Sequence, residues 1–181
     1  MACSMATVAS GQTISTIYVV GGSVSVVSCL LVLVCFTGTP ALGRFPACLF
    51  RWRFICDGLV SAQFVLLNLH ELTTTDEAAC TAGLAFVLQF GIFGSLSWFA
   101  CISLDLYLLV TRPFTRPEER TGSYHAWVWT GSLLTGLAAA TRHGYRSTYH
   151  LCWTAADPPL VSSMWGLFFV WLMAYSCLSV R

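Results

Sequence analysis

Residues Cys80 to Val110 form one apolar run with a single charged residue, Asp105, inside it. A helix over this run would measure about 46 Å, more than a hydrocarbon core of about 30 Å requires. It must therefore tilt or project beyond the bilayer. Arg112-Pro113 closes the run, because the residue before a proline is steered out of the helical region. A soluble protein has little use for such a segment at its centre. The rest of the chain agrees: of its 181 residues 56% are hydrophobic and 9% charged, and lysine is absent. Soluble domains carry roughly 25% charged residues. The expected class is an all-α, multi-pass transmembrane helical bundle.

Five spans are expected, at about 14–36, 54–70, 80–111, 124–141 and 160–180, behind a short tail over 1–13. The first is uncharged and too long for the apolar core of a cleaved signal. Small residues recur every fourth position in two spans, Gly21-Ser25-Cys29 and Ser132-Gly136-Ala140, as helix-packing faces do. The second span holds Asp57, Gln63 and Asn68, which belong against other helices rather than lipid. Between the spans, residues 37–53 and 142–159 read as loops.

Arginine counting orients the bundle. Arg44, Arg51, Arg53, Arg112, Arg116, Arg120 and Arg181 collect on one side, and only Arg142 and Arg146 on the other. The positive-inside rule then places the N-terminus outside, with the acidic loop Glu71–Glu77 also outside. The expected location is the plasma membrane, in contact with lipid. With a net charge of +1 and no basic aromatic face, nucleic acid is excluded as a partner.

Catalytic signatures are missing: the sequence has no G-x-S-x-G, H-E-x-x-H, Walker A or G-x-G-x-x-G pattern, so no enzyme is expected. His70, His143 and His150 fall on the outer side and His125 alone on the inner. A dihaem protein needs paired ligands near both faces. The histidines read as interfacial, one outer haem between His70 and His143 being the alternative, and no metal or cofactor is expected.

Cys80 and Cys152 both reach the outer side, where an oxidising compartment permits a disulfide. Such a bond would tie the loop between spans four and five over the bundle mouth. Cys3 is a competitor, and two unpaired thiols are the alternative. Asp57 and Asp105 are the charges within spans two and three. Together with Tyr107 they form a candidate buried polar network, with a purely structural role as the equal alternative. Asp57 stands one turn from Arg53.

Several motifs carry a resemblance. Trp98 sits mid-span in SLSWFACISLDLYLLV, the inner end reads Asp105-Leu106-Tyr107-Leu108, and the outer loop reads Gly144-Tyr145 and then Cys152-Trp153. With the long Cys-led third span, the chain resembles a G-protein-coupled receptor of the cyclic-AMP-receptor-like group and its secretin-like relatives. It lacks the D-R-Y triplet of the rhodopsin-like class. The resemblance implies the first five helices of a seven-helix receptor, and so a truncated chain. It implies an extracellular ligand, which the sequence does not identify, and a heterotrimeric G protein inside. Arg112, Pro113 and Phe114 would face that G protein, while Gln63, Asn68, Gln89, Phe90 and Phe93 would line a ligand cavity. A small transporter or channel using Asp57, Asp105 and Gln63, or a non-signalling five-span protein, is the competing reading.

Overall fold

The computed structural model describes residues 2–43, 45–73, 81–111, 117–141, 143–146 and 151–154. They form helices α1 (Ala2–Gly38), α2 (Ala47–Thr73), α3 (Ala82–Thr111) and α4 (Thr121–Thr141), then strands β1 (His143–Arg146) and β2 (Leu151–Thr154). Short 3-10 turns at Pro40–Gly43 and Pro117–Arg120 precede α2 and α4.

Local chemistry sets the ends. Thr81 caps α3: its Oγ1 accepts from Leu84 N at 3.3 Å, and its carbonyl accepts from Ala85 N at 3.2 Å. At the other end α3 stops at Thr111, before Arg112-Pro113. Helix α2 starts directly after Phe45-Pro46, so the connection from α1 is shorter than the expected 37–53 loop. Helix α1 already begins at Ala2, within the stretch read as a tail.

Among the described residues, two helices are long and apolar enough to cross a membrane, Thr13–Gly38 with 26 residues and Ala82–Thr111 with 30. The other three expected spans are not established by this measure. Helix α2 carries Arg51, Arg53, Asp57, Gln63 and Asn68, and α4 is rich in Ser, Thr and Gly, so neither has the apolarity of an unaided span. The segment 160–180 lies outside the described residues.

Helix α3 is the axis. It packs on α2 and on α4, whereas α1 packs on α2. Of the apolar window in α3, 56% is buried, against 6% in α1. Helix α1 presents Ile17, Val20, Val24, Val27, Leu31 and Val34 outward, a stripe suited to lipid. Helices α2 and α3 touch backbone to backbone: a Cβ at Gly91 would lie 2.7 Å from Val60 Cγ2 and 3.2 Å from the Cys56 carbonyl. In the expected α1 stripe, Ser25 bonds Ser61 across the α1–α2 seam at 2.8 Å, while Gly21 faces open space and Gly22 makes the close contact with Val65.

The stretch read as an outer loop contains an antiparallel hairpin, β1 against β2. Gly144 pairs with Trp153 and Tyr145 with Cys152. The two halves of the Gly-Tyr and Cys-Trp pattern are thus direct register partners. The hairpin packs on α2, α3 and α4 at the end of the bundle where α3 begins.

Candidate functional site

Buried polar contacts occur at three levels along α3. At the hairpin end, Trp153 donates its indole N–H to Gln89 Oε1 at 2.8 Å, and Gln63 Nε2 lies 3.5 Å from the Cys152 carbonyl. Both glutamines are buried, as are Cys152 and Trp153. The two α-helical amides thus hold the hairpin. Cys152 is disulfide-bonded, in contrast to the free thiols Cys29, Cys35, Cys48, Cys56 and Cys101. Its Sγ lies 3.6 Å from the carbonyl of Thr81, the residue next to Cys80. Cys80 itself lies outside the described residues.

The other expected cavity residues are placed differently. Asn68 donates to the Phe64 carbonyl of its own helix at 2.9 Å. Phe90 stacks between Phe86 and Trp129, with centroids 5.7 and 5.8 Å away. Phe93 packs where Gly131 of α4 leaves room. Among the described residues, Gln63 Oε1 and Asn68 Oδ1 are buried acceptors without a partner.

At mid-depth, Asp57 of α2 accepts a short hydrogen bond from Ser95 Oγ of α3, and Arg53 Nε lies 3.6 Å from its other oxygen. Ser61, one turn on, donates to the Asp57 carbonyl at 2.8 Å and meets Ser25 of α1. One polar seam therefore links α1, α2 and α3. The guanidinium of Arg53 also lies over Phe99, 4.8 Å from the ring centroid.

Near the far end, Asp105 is 3% exposed. It accepts from Tyr124 Oη at 2.9 Å, and Arg120 Nη1 approaches the same oxygen at 3.6 Å. Its second oxygen is buried without a partner among the described residues. Isolated burial of a charge is strongly unfavourable, so the tyrosine and arginine answer a real desolvation demand. They tie the α3–α4 connection and the first turn of α4 to the axis.

The single Asp57–Asp105–Tyr107 network is thus replaced by two sites. Ser95 and Asp105 are ten residues apart on α3, about 15 Å along its axis. Tyr107 is 52% exposed, because two residues of helix turn it about 200° away from Asp105. Tyr124, Arg120 and Ser95 take the partner roles. The expected G-protein-facing residues Arg112, Pro113 and Phe114 lie outside the described residues. No cluster of three or more His, Cys, Asp or Glu side chains that could hold a metal occurs among the described residues.

Between the Asp57 and Asp105 levels, Trp98 is fully buried and meets Trp52 of α2 and His125 and Trp129 of α4, with centroids 6.5, 4.9 and 5.8 Å away. One aromatic core joins three helices.

The family model described as slime mold cyclic AMP receptor matches residues 5–180 of this sequence. The chain belongs to the slime mold cyclic AMP receptor family. No curated protein matches it. Membership in this receptor family agrees with the apolar helices α1 and α3 and makes the chain a membrane protein of G-protein-coupled-receptor-like type. Of the two groups that the motifs resemble, the match is to the cyclic AMP receptors, and the secretin-like relatives find no such support.

Proposed function

We propose that this chain transduces an extracellular signal to a heterotrimeric G protein, through a five-span bundle in the plasma membrane with its N-terminus outside. The observation that carries this reading is the family match over residues 5–180. Arginine asymmetry supports the orientation. The ligand named by the family, cyclic AMP, is the first to test. Any ligand that uses Gln63 or Gln89 must displace or bridge the hairpin contacts those amides make. A disulfide between Cys152 and Cys80 would fasten the hairpin to the start of α3. On the inner side, Arg112, Pro113 and Phe114 follow directly on α3 and would present its end to the G protein. Ligand binding would act by favouring one packing of the helices over another.

The test is expression in cells lacking related receptors, with labelled cyclic AMP binding and energy transfer between G-protein subunits read together. Saturable binding with a ligand-dependent change in subunit proximity is expected. A chain that reaches the cell surface yet does neither refutes the signalling reading.

A further inference from the structure

We infer that His125 is a proton-binding site through which acidification loosens the contact of α4 with α2 and α3. The inference starts from one hydrogen bond. Trp129 lies one turn from His125 on α4 and places its Nε1 at 3.0 Å from His125 Nδ1. An indole nitrogen can only donate, so Nδ1 must offer its lone pair. His125 is therefore neutral in this packing and carries its proton on Nε2. An imidazolium would turn Nδ1 into a second donor, aimed at the first.

Among the described residues, nothing around the ring offers an alternative anion. From α2 come Trp52, edge-on at 5.3 Å between centroids, and the thiols Cys48 and Cys56 of the same core. On α2 the guanidinium of Arg51 lies 5.9 Å from the Trp52 ring, and it is positive. Arg53 is engaged with Asp57. From α3 come Trp98, at 4.9 Å and 70°, and Cys101. Asp105, two turns beyond Trp98, is committed to Tyr124 and Arg120. From α4 and the turn before it come Tyr124, whose hydroxyl serves Asp105, and exposed Glu119. Trp98 Nε1 is itself buried without a partner among the described residues, a donor that cannot help a cation.

Indole faces within 6 Å can attract an imidazolium. That attraction does not restore an acceptor for Trp129, and Trp129 is held by stacking on Phe90 at 12° between planes. Relief has to come from movement of the His125–Trp129 turn against Trp52 and Trp98. The sign follows: the packed arrangement excludes the proton and the loosened one accepts it. Acidification therefore shifts the balance from the packed arrangement, which needs the neutral ring, to the loosened one.

The test is tryptophan emission of the whole chain in lipid nanodiscs from about pH 8 to about pH 5, with helicity followed by circular dichroism. A reversible single-site change in emission is expected, since imidazolium quenches indole. His125→Gln keeps an acceptor for Trp129 but cannot titrate, so its profile should be flat over this range. Trp129→Phe removes the donor that opposes the proton, and should move the midpoint upward by roughly half to one pH unit. A flat wild-type profile, an unchanged profile in His125→Gln, or an unmoved midpoint in Trp129→Phe would each overturn the inference.

Discussion

The indole of Trp153 and the amide of Gln89 meet at 2.8 Å in a fully enclosed contact, and this bond joins the hairpin to the axis helix. Its asymmetry gives a prediction. Gln89→Leu leaves a buried N–H unpaired, which costs about 1–3 kcal/mol. The double variant Gln89→Leu/Trp153→Phe removes both polar partners and should recover part of that loss. Thermal unfolding in detergent micelles reads both, and a double variant no more stable than Gln89→Leu alone contradicts the account.

The proposed second attachment of the hairpin is a disulfide between Cys152 and Cys80. Non-reducing peptide mapping should recover Cys80 joined to Cys152. Closing a loop of this length is worth roughly 4 kcal/mol in the chain-entropy view, so reduction should lower the unfolding temperature markedly. Recovery of Cys152 linked to Cys3 instead would leave the hairpin tied to α1 and not to the start of α3.

Asp105 and Tyr124 should behave as a coupled pair. Tyr124→Phe removes a hydrogen bond to a buried carboxylate and should cost about 1.5–3 kcal/mol. Arg120→Gln should cost less, its 3.6 Å approach being longer and its side chain 29% exposed. In a double-mutant cycle, Asp105→Asn should reduce the effect of Tyr124→Phe. Independent, additive losses would show that the hydroxyl does not stabilise this acid.

These sites differ in how far they can be read from sequence. Helix α3 was largely legible: its apolar run and its terminating Arg-Pro are local signals, whereas its cap at Thr81 came only with the structure. Asp57 and Asp105 were legible as residues needing partners, since charge in an apolar segment demands one. Which partners they find was not. Ser95 reaches Asp57 only through the rotation of α2 against α3, set by packing at Gly91 and Gly94. Tyr124 and Arg120 reach Asp105 only because the chain after α3 folds back at that depth. The hairpin was missed because its strands, HGYR and LCWT, are only four residues long, too short for a period-two pattern to stand out.

The α2–α3 seam gives a steric prediction. Gly91→Ala would place a methyl 2.7 Å from Val60 Cγ2 and near the Cys56 carbonyl, which overpacks the seam by about 1–3 kcal/mol. Adding Val60→Ala should relieve most of this. Gly21→Ala is the control: nothing lies within 4 Å of its Cβ, so it should be neutral or stabilising. Equal losses for Gly21→Ala and Gly91→Ala in thermal unfolding would remove the steric explanation.

Asp57 distinguishes a hydrogen bond from an ion pair at one carboxylate. Ser95 of α3 bonds it across the helix seam, whereas Arg53 approaches along its own helix, with both charged side chains 34% exposed. An i,i+4 pair with that exposure is worth only a few tenths of a kcal/mol in water. A cross-helix bond to a charged acceptor is worth more, about 1.5–3 kcal/mol. Ser95→Ala should therefore destabilise more than Arg53→Gln, and should also weaken the docking of α3 on α2. Cysteine cross-linking rates across the α2–α3 seam, compared between the two variants, read that docking directly. A larger effect from Arg53→Gln would mean that the guanidinium, through Asp57 and its contact with Phe99, is the stronger link between these helices.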